Sequence, residues 1–448
     1  MAKGIGTKGL IKLLLWAYIA LLLGEGALRK WFLVPLSEPL LIVRDPIVVL
    51  IYLLAFRANL FPVNGFVIAS IFMGFMAFLF GALSSESSVI VTLYGMRINF
   101  LQIPLIFVIG QVLDYKDCVQ IGKVLIALAL PQVLIMVLQF SSPQGAWINS
   151  QVGGGEGIMG ALGRYRPPGT FSFITGPAAY FPLVLAFVIA FLLHEGRRYT
   201  WLCYIGAASV MLAIPISISR LLALTCALVM LAATYAFYRL PNPPKLIIRS
   251  VGAAALILVV VPMLPVFDTA TETFTARWVS STGEDVEGFK EEVVGRFLYG
   301  LVGLPFNALF EAPLTGHGIG VGSNVGAKML TGEVTFLMGE SEWQKAIMEM
   351  GPMLGLGFIV LRLMLVVFLF RYAFSALGRG NAMPLLLFTS CFTLVLNGQW
   401  GPPTILGFAI LGSGLTLAAT KTSSLSAEDA PKLRQPDDPA PAAHSAHR

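Results

Sequence analysis

Charge is scarce in this chain. Only 12% of its 448 residues are Asp, Glu, Lys or Arg, against 56% hydrophobic residues and a mean hydropathy of +0.80. Soluble globular proteins do not carry that balance, and the chain reads as an integral membrane protein. Strand-like alternation of polar and apolar residues is also missing, which argues against a membrane barrel. Cysteine is sparse: Cys118, Cys203, Cys226 and Cys391 lie in or beside apolar runs without paired spacing. No disulfide framework or zinc site is written there, and free thiols are expected. The four histidines, His194, His317, His444 and His447, are scattered, so no metal cluster is visible.

What is abundant is apolar sequence in runs near the 20 residues or so that span a bilayer as helix. Spans are expected near 10–28, 46–62, 66–84, 98–113, 121–140, 178–194, 201–217, 220–238, 249–267, 352–373, 383–398 and 402–420. The fold class is therefore an all-α polytopic membrane protein with about twelve transmembrane helices, one domain over 1–420. The N-terminal MAKGIGTKGLIK has neither a signal-peptide length pattern nor a small-residue cleavage site, so the first run is expected to be a retained helix. The segment 421–448, rich in Pro, Ala, Ser and charge, is expected to be a disordered cytoplasmic tail.

Lys and Arg set the orientation. With the N-terminus inside, Lys3, Lys8, Lys12, Arg57, Lys116, Lys123, Arg197, Arg198, Arg239, Lys245, Arg249, Arg371, Arg379 and Lys421 all fall on the cytoplasmic side. The net charge of +6 thus goes with topology rather than with nucleic acid. Arg29, Lys30 and Arg44 break the pattern by falling outside; either that segment is re-entrant or those cations have a task. Two long connections, about 141–177 and 268–351, also fall outside, and loops of that length are usually functional or disordered. In the second, EDVEGFKEEVVGRFLYGLVGLPFNALF (284–310) has apolar residues at helical spacing, which predicts a short helix on the outer interface.

Ionisable residues at the outer ends of spans are costly and so point to function. Arg220 ends IPISISR, Arg97 sits in LYGMRIN, Arg164 and Arg166 flank Tyr165, and Arg277 and Arg296 lie in the second loop. Guanidinium offers a planar fork of donors to phosphate oxygens, so this collection suits an anionic ligand such as a pyrophosphate-bearing lipid. Each arginine taken singly could equally snorkel and anchor a helix. Glu25 is expected to pair with Arg29 one turn later, and Arg362 to be structural, paired or snorkelling. The glycines of APLTGHGIGVGSN (312–324) lack the strand and the ribose-binding acid of a nucleotide motif; they suit tight turns or close backbone approach. His317 among them could act as acid or base, though a hydrogen-bonded loop histidine is commoner. In GESEWQKAIMEMG (339–351), Glu340 and Glu342 precede a span. Stabilisation by the helix dipole explains at least one of them; the sharper reading is a general base at the outer surface.

Four strings in order, RPPGTFSFITGPAAYF (166–181), SISRLLALTCAL (217–228), EAPLTGHGIGVGS (311–323) and GESEWQKAIMEMGPMLGLGF (339–358), resemble the O-antigen ligase and polymerase superfamily, which includes exopolysaccharide polymerases. The resemblance covers roughly 160–360. It implies a GT-C-like membrane glycosyltransferase, without metal or cofactor, in the bacterial inner membrane. Such an enzyme takes a glycan from a polyprenyl pyrophosphate carrier and joins it to a hydroxyl of an acceptor glycan or glycolipid at the periplasmic face. Other envelope polysaccharide assembly proteins would be its partners. On the family pattern Arg166 and Arg220 would hold the pyrophosphate, with Arg296, Arg97 and Arg164 as further candidates. Glu340 falls where many ligases have a histidine; as catalytic residue it would assist the acceptor, with Glu342 as the fallback. That departure leaves room for a polymerase-like member. A polysaccharide or lipid-linked oligosaccharide transporter, or a non-catalytic assembly subunit, would also need many helices and buried charges.

Overall fold

At 1.5 Å per residue, about 20 residues of helix cross some 30 Å of hydrocarbon, and the apolar runs form helices on that scale. The computed structural model describes residues 6–153, 157–195, 199–240, 263–282, 295, 298–333, 338–339 and 341–421. Outside them lie Arg296, Glu340, the tail 422–448, most of the expected span 249–267 and most of the first half of the expected amphipathic helix.

In chain order the helices are α1 (Thr7–Ala27), α2 (Asp45–Arg57), α3 (Gly65–Leu83), α4 (Val89–Met96), α5 (Ile103–Val112) and α6 (Tyr115–Ser141). A short hairpin of β1 (Met159–Ala161) and β2 (Arg164–Tyr165) follows, then α7 (Thr175–His194), α8 (Thr200–Ile216), α9 (Arg220–Arg239) and α10 (Pro265–Thr282). The remainder is α11 (Leu304–Glu311), α12 (Asn324–Thr331), α13 (Glu342–Gly378), α14 (Met383–Leu396) and α15 (Pro403–Ala418). Among the described residues, eight helical segments are long and apolar enough to cross a membrane, and α8, α14 and α15 are shorter apolar helices.

Two expected spans are longer than their apolar runs, for identifiable reasons. The one near 98–113 reaches back to Val89, because α4 and α5 join through a π-helical turn, Arg97–Leu101. Tyr52 donates to the Leu101 carbonyl at 2.7 Å, one of the backbone groups such a break leaves open. The one near 352–373 follows a helical stretch from Glu342 that is folded back on it at Gly351, whose φ of 78° precedes Pro352, so that Glu342 comes within 3.2 Å of Arg362. Pro352 has no N–H to give the Met348 carbonyl, and His317 N–H supplies the bond instead at 2.9 Å; Gly318 N–H does the same for Glu349 at 3.0 Å.

That exchange explains the glycine string. A Cβ on Gly316 would strike the Glu349 carbonyl, and one on Gly95 of α4 would lie 2.5 Å from Ile319 and Gly320 backbone. The glycines bring backbone against backbone, α4 on one side and the α13 bend on the other. Gly95→Val is expected to destabilise the fold by about 1 to 3 kcal/mol through overpacking, read as a lower midpoint of thermal unfolding in detergent. An unchanged midpoint would show that the loop yields freely.

Burial sorts the helices into a centre and a rim. In α7, 78% of the apolar window is buried, against 33% in α3 and α9, and α15 buries nearly every residue. A helix apolar all round belongs inside, so α7, α14 and α15 form the middle. Phe72 and Phe75 of α3 and Leu231 of α9 face outward, as lipid contact requires. The four cysteines are buried and free, as expected. Of the expected amphipathic stretch, the described part is a π turn, Tyr299–Gly303, running into α11, which exposes Phe306 and Phe310.

One end of the bundle, called proximal, is tied by Lys12 to Asp117 at 2.6 Å, Tyr115 to Glu195 at 3.2 Å and Lys421 to the Gln111 carbonyl at 2.7 Å. The opposite, distal end carries the hairpin, the glycine loop and most of the buried charge.

Candidate functional site

The cations that broke the topological pattern turn out to be structural. Glu25 is 3% exposed and accepts from Arg29 at 3.3 Å and Arg44 at 3.2 Å. The expected Glu25–Arg29 pair is therefore half of a shared one. Arg44 also donates to the Pro403 carbonyl and lies over the Tyr18 ring at 5.2 Å, joining α1 to α15. Arg29 reaches the Ser37 carbonyl at 2.7 Å and Ser172 at 3.2 Å, while Lys30 donates to the Gly169 carbonyl at 2.6 Å. From the other side Gln139 accepts from Gly169 N–H at 2.7 Å. Together they clamp the loop that follows Arg166 onto the end of α1. A charge in hydrocarbon persists only with partners of this kind.

A second set surrounds the start of α13. Glu342, 3% exposed, pairs with Lys345 at 2.6 Å and Arg362 at 3.2 Å. Arg362 further donates to the carbonyls of Val395 at 2.7 Å and Gly398 at 2.7 Å, satisfying the end of α14, and lies 4.2 Å from the Trp400 ring centre. The paired, structural reading of Arg362 holds. Both carboxylate oxygens of Glu342 are engaged, so the dipole explanation of this acid gives way to an ion-pair one. Glu349 accepts from Gly322 N–H at 2.8 Å through one oxygen; the other is buried and unpartnered among the described residues.

The third set is the candidate site, and it is built differently. Arg166 follows the hairpin, its N–H bonded to the Ile158 carbonyl at 2.9 Å. Arg277 of α10 donates to the Gly160 carbonyl of the same hairpin at 2.9 Å. Ile218 is wholly buried against Gly160 and has a φ of 48°, a conformation that a β-branched side chain adopts only at a cost. This turn ends α8 just after Pro215 and sets Ser219 to cap α9 through Leu222 N–H, with Arg220 as the first residue of that helix. Arg277 thus touches the hairpin that leads to Arg166, and the turn just before Arg220 packs on the same hairpin through Ile218. Burial pushes Arg166 down to about 10, and the two charges that add to the shift are both cationic, Arg277 and then Arg220. The Nε of Arg166 is buried without a partner among the described residues. The positive end of the α9 dipole lies beside Arg220 as well. Helix end and guanidinium forks together make a place suited to a multivalent anion.

Of the arginines singled out by sequence, Arg166, Arg277 and the turn that precedes Arg220 share the hairpin. Arg97 is committed elsewhere, to Asp45 and the Leu41 carbonyl, with one Nη buried and unpartnered among the described residues. Arg164 turns to the Phe140 carbonyl at 3.2 Å and lies over that ring. Arg296 and Glu340 are outside the described residues. His317 contacts Glu86 at 2.6 Å between Nδ1 and Oε2, the hydrogen-bonded loop histidine of the bland reading. Sequence spacing offered no way to choose Arg277 over its neighbours, because hairpin and α10 meet only in three dimensions. Among the described residues, no group of three or more His, Cys, Asp or Glu could hold a metal. No protein-family model and no curated protein matches this chain, so the family resemblance is carried by its four strings.

Proposed function

We propose that this protein is a membrane glycosyltransferase of the O-antigen ligase and polymerase type, working on a glycan carried by polyprenyl pyrophosphate. The observation that carries the reading is that Arg277 and the turn before Arg220 both pack on the hairpin leading to Arg166, whose Nε is buried and unpartnered among the described residues. Two of the three lie in strings that resemble that superfamily.

In this reading the chain makes twelve spans with both termini in the cytoplasm of a bacterium, and the distal end faces the periplasm. The acceptor hydroxyl attacks the anomeric carbon, a new carbon–oxygen bond forms, and the bond to the pyrophosphate oxygen breaks. The departing pyrophosphate takes the electron pair, and the three guanidinium groups stabilise its growing charge. The hydroxyl proton passes to a carboxylate. Glu340 fills that role, since Glu342 is engaged by Lys345 and Arg362.

The test is glycan transfer by the purified full chain in nanodiscs, given a polyprenyl pyrophosphate-linked oligosaccharide. Wild type is expected to extend product, and Glu340→Gln to slow it by about 10²-fold or more. Failure to transfer across a panel of donors, together with movement of the lipid across a bilayer, would replace this reading with a transporter.

A further inference from the structure

The proximal end of α13 carries a feature that the transfer reaction does not use. Leu363, Val367, Arg371, Ser375 and Arg379 recur every four residues and so lie along one stripe of the helix. The stripe lines a hollow of about 750 Å³, closed by Phe66 at the start of α3 and by Thr420 beyond α15. Arg371 lies 20 residues beyond the Gly351 bend, about 30 Å along the helix, or one hydrocarbon thickness. The hollow therefore runs from the opposite membrane interface inward, with guanidinium at its mouth and Phe66 and Phe368 on its apolar wall.

Among the described residues no carboxylate lines it. Arg379 donates to Ser375 Oγ at 2.8 Å. A neighbouring hollow of about 410 Å³ shares Arg379 and adds Arg239, which is held against Tyr235 at 3.2 Å. Cations in the last turns of a helix also suit its dipole and the topological bias. Neither effect calls for a recess behind them that is apolar and large enough for part of a lipid.

We propose that this recess binds an anionic glycerophospholipid, its phosphate between Arg371 and Arg379 and an acyl chain along Val367, Phe368 and Phe66. Charge complementarity commits it to that occupant: a forked pair of donors without a competing acid selects phosphate, and the depth of the apolar wall selects a phosphate that carries a chain. The site is independent of the distal arginines and of the reaction assigned to them.

The experiment uses the full chain in nanodiscs of phosphatidylcholine with a minority of phosphatidylglycerol, and native mass spectrometry to count lipids retained on release. Wild type is expected to enrich phosphatidylglycerol on the order of ten-fold, or about 1.4 kcal/mol. Arg371→Gln with Arg379→Gln should bring retention near parity, Arg371→Lys should fall between, and Arg57→Gln should leave it unchanged. No enrichment by wild type, or enrichment that survives the double substitution, would overturn the proposal. Displacement by millimolar inorganic phosphate would show a phosphate site without lipid preference. Enrichment that appears only when the chain is cut after Lys421 would assign the recess to the segment 422–448. Each substituted chain should elute as wild type does; if the double variant does not, Arg371→Gln alone carries the test.

Discussion

Arg166→Ala and Arg220→Ala are each expected to lower glycan transfer by about 10²- to 10³-fold, the usual cost of removing one preorganised donor from a developing anion. Arg277→Ala should act in the same direction. Its neighbours share the load, so the losses are not expected to add. Lysine at Arg166 or Arg220 keeps a charge but loses the fork and should recover only part of the rate. Stability separates this reading from a helix-anchoring one. Arg166 is held among like charges with its Nε unpartnered among the described residues, so its removal relieves repulsion. Thermal stability should therefore hold or rise while transfer collapses. A fall in both together would mark Arg166 as a structural cation and leave the anion site without its centre.

Glu342→Ala should do the reverse. It strands Lys345 and Arg362 in a buried site without their counter-ion, and breaking such a pair from one side costs about 3 to 5 kcal/mol. The expected result is loss of monodisperse protein and a much lower unfolding midpoint. Replacing all three by apolar residues of similar size should recover most of the loss, because the desolvation cost leaves with the charges. Normal folding of Glu342→Gln with transfer abolished would instead place this carboxylate in the chemistry.

The contrast between those two sets shows how far one-dimensional reasoning reaches. Charge in the wrong place was legible in the sequence at Glu25, Arg29, Lys30, Arg44, Arg97, Arg166, Arg220, Glu342 and Arg362, because hydrocarbon makes any such residue conspicuous. Partnership was not. Arg44 and Glu25 are 19 residues apart, but Arg44 and Pro403 are 359 apart; no spacing rule connects the latter. The glycine string was equally conspicuous and its close backbone approach was expected, but only the fold showed which backbones it meets, α13 at Gly316 and α4 at Gly320.

By itself, then, the sequence determined the class, the positions of most helices and the suspicion attached to each intramembrane charge. These follow from one local cost, that of exposing polar groups to lipid, and local costs can be read one residue at a time. Tertiary structure alone decided which partners each suspect meets. Arg44 was answered by Glu25 and the Pro403 carbonyl, and Arg362 by Glu342 and the carbonyls that end α14, whereas Arg166 was set where the charges of Arg277 and Arg220 act on it. Whether a charge is satisfied depends on separation and dielectric, and chain order fixes neither until the helices have packed.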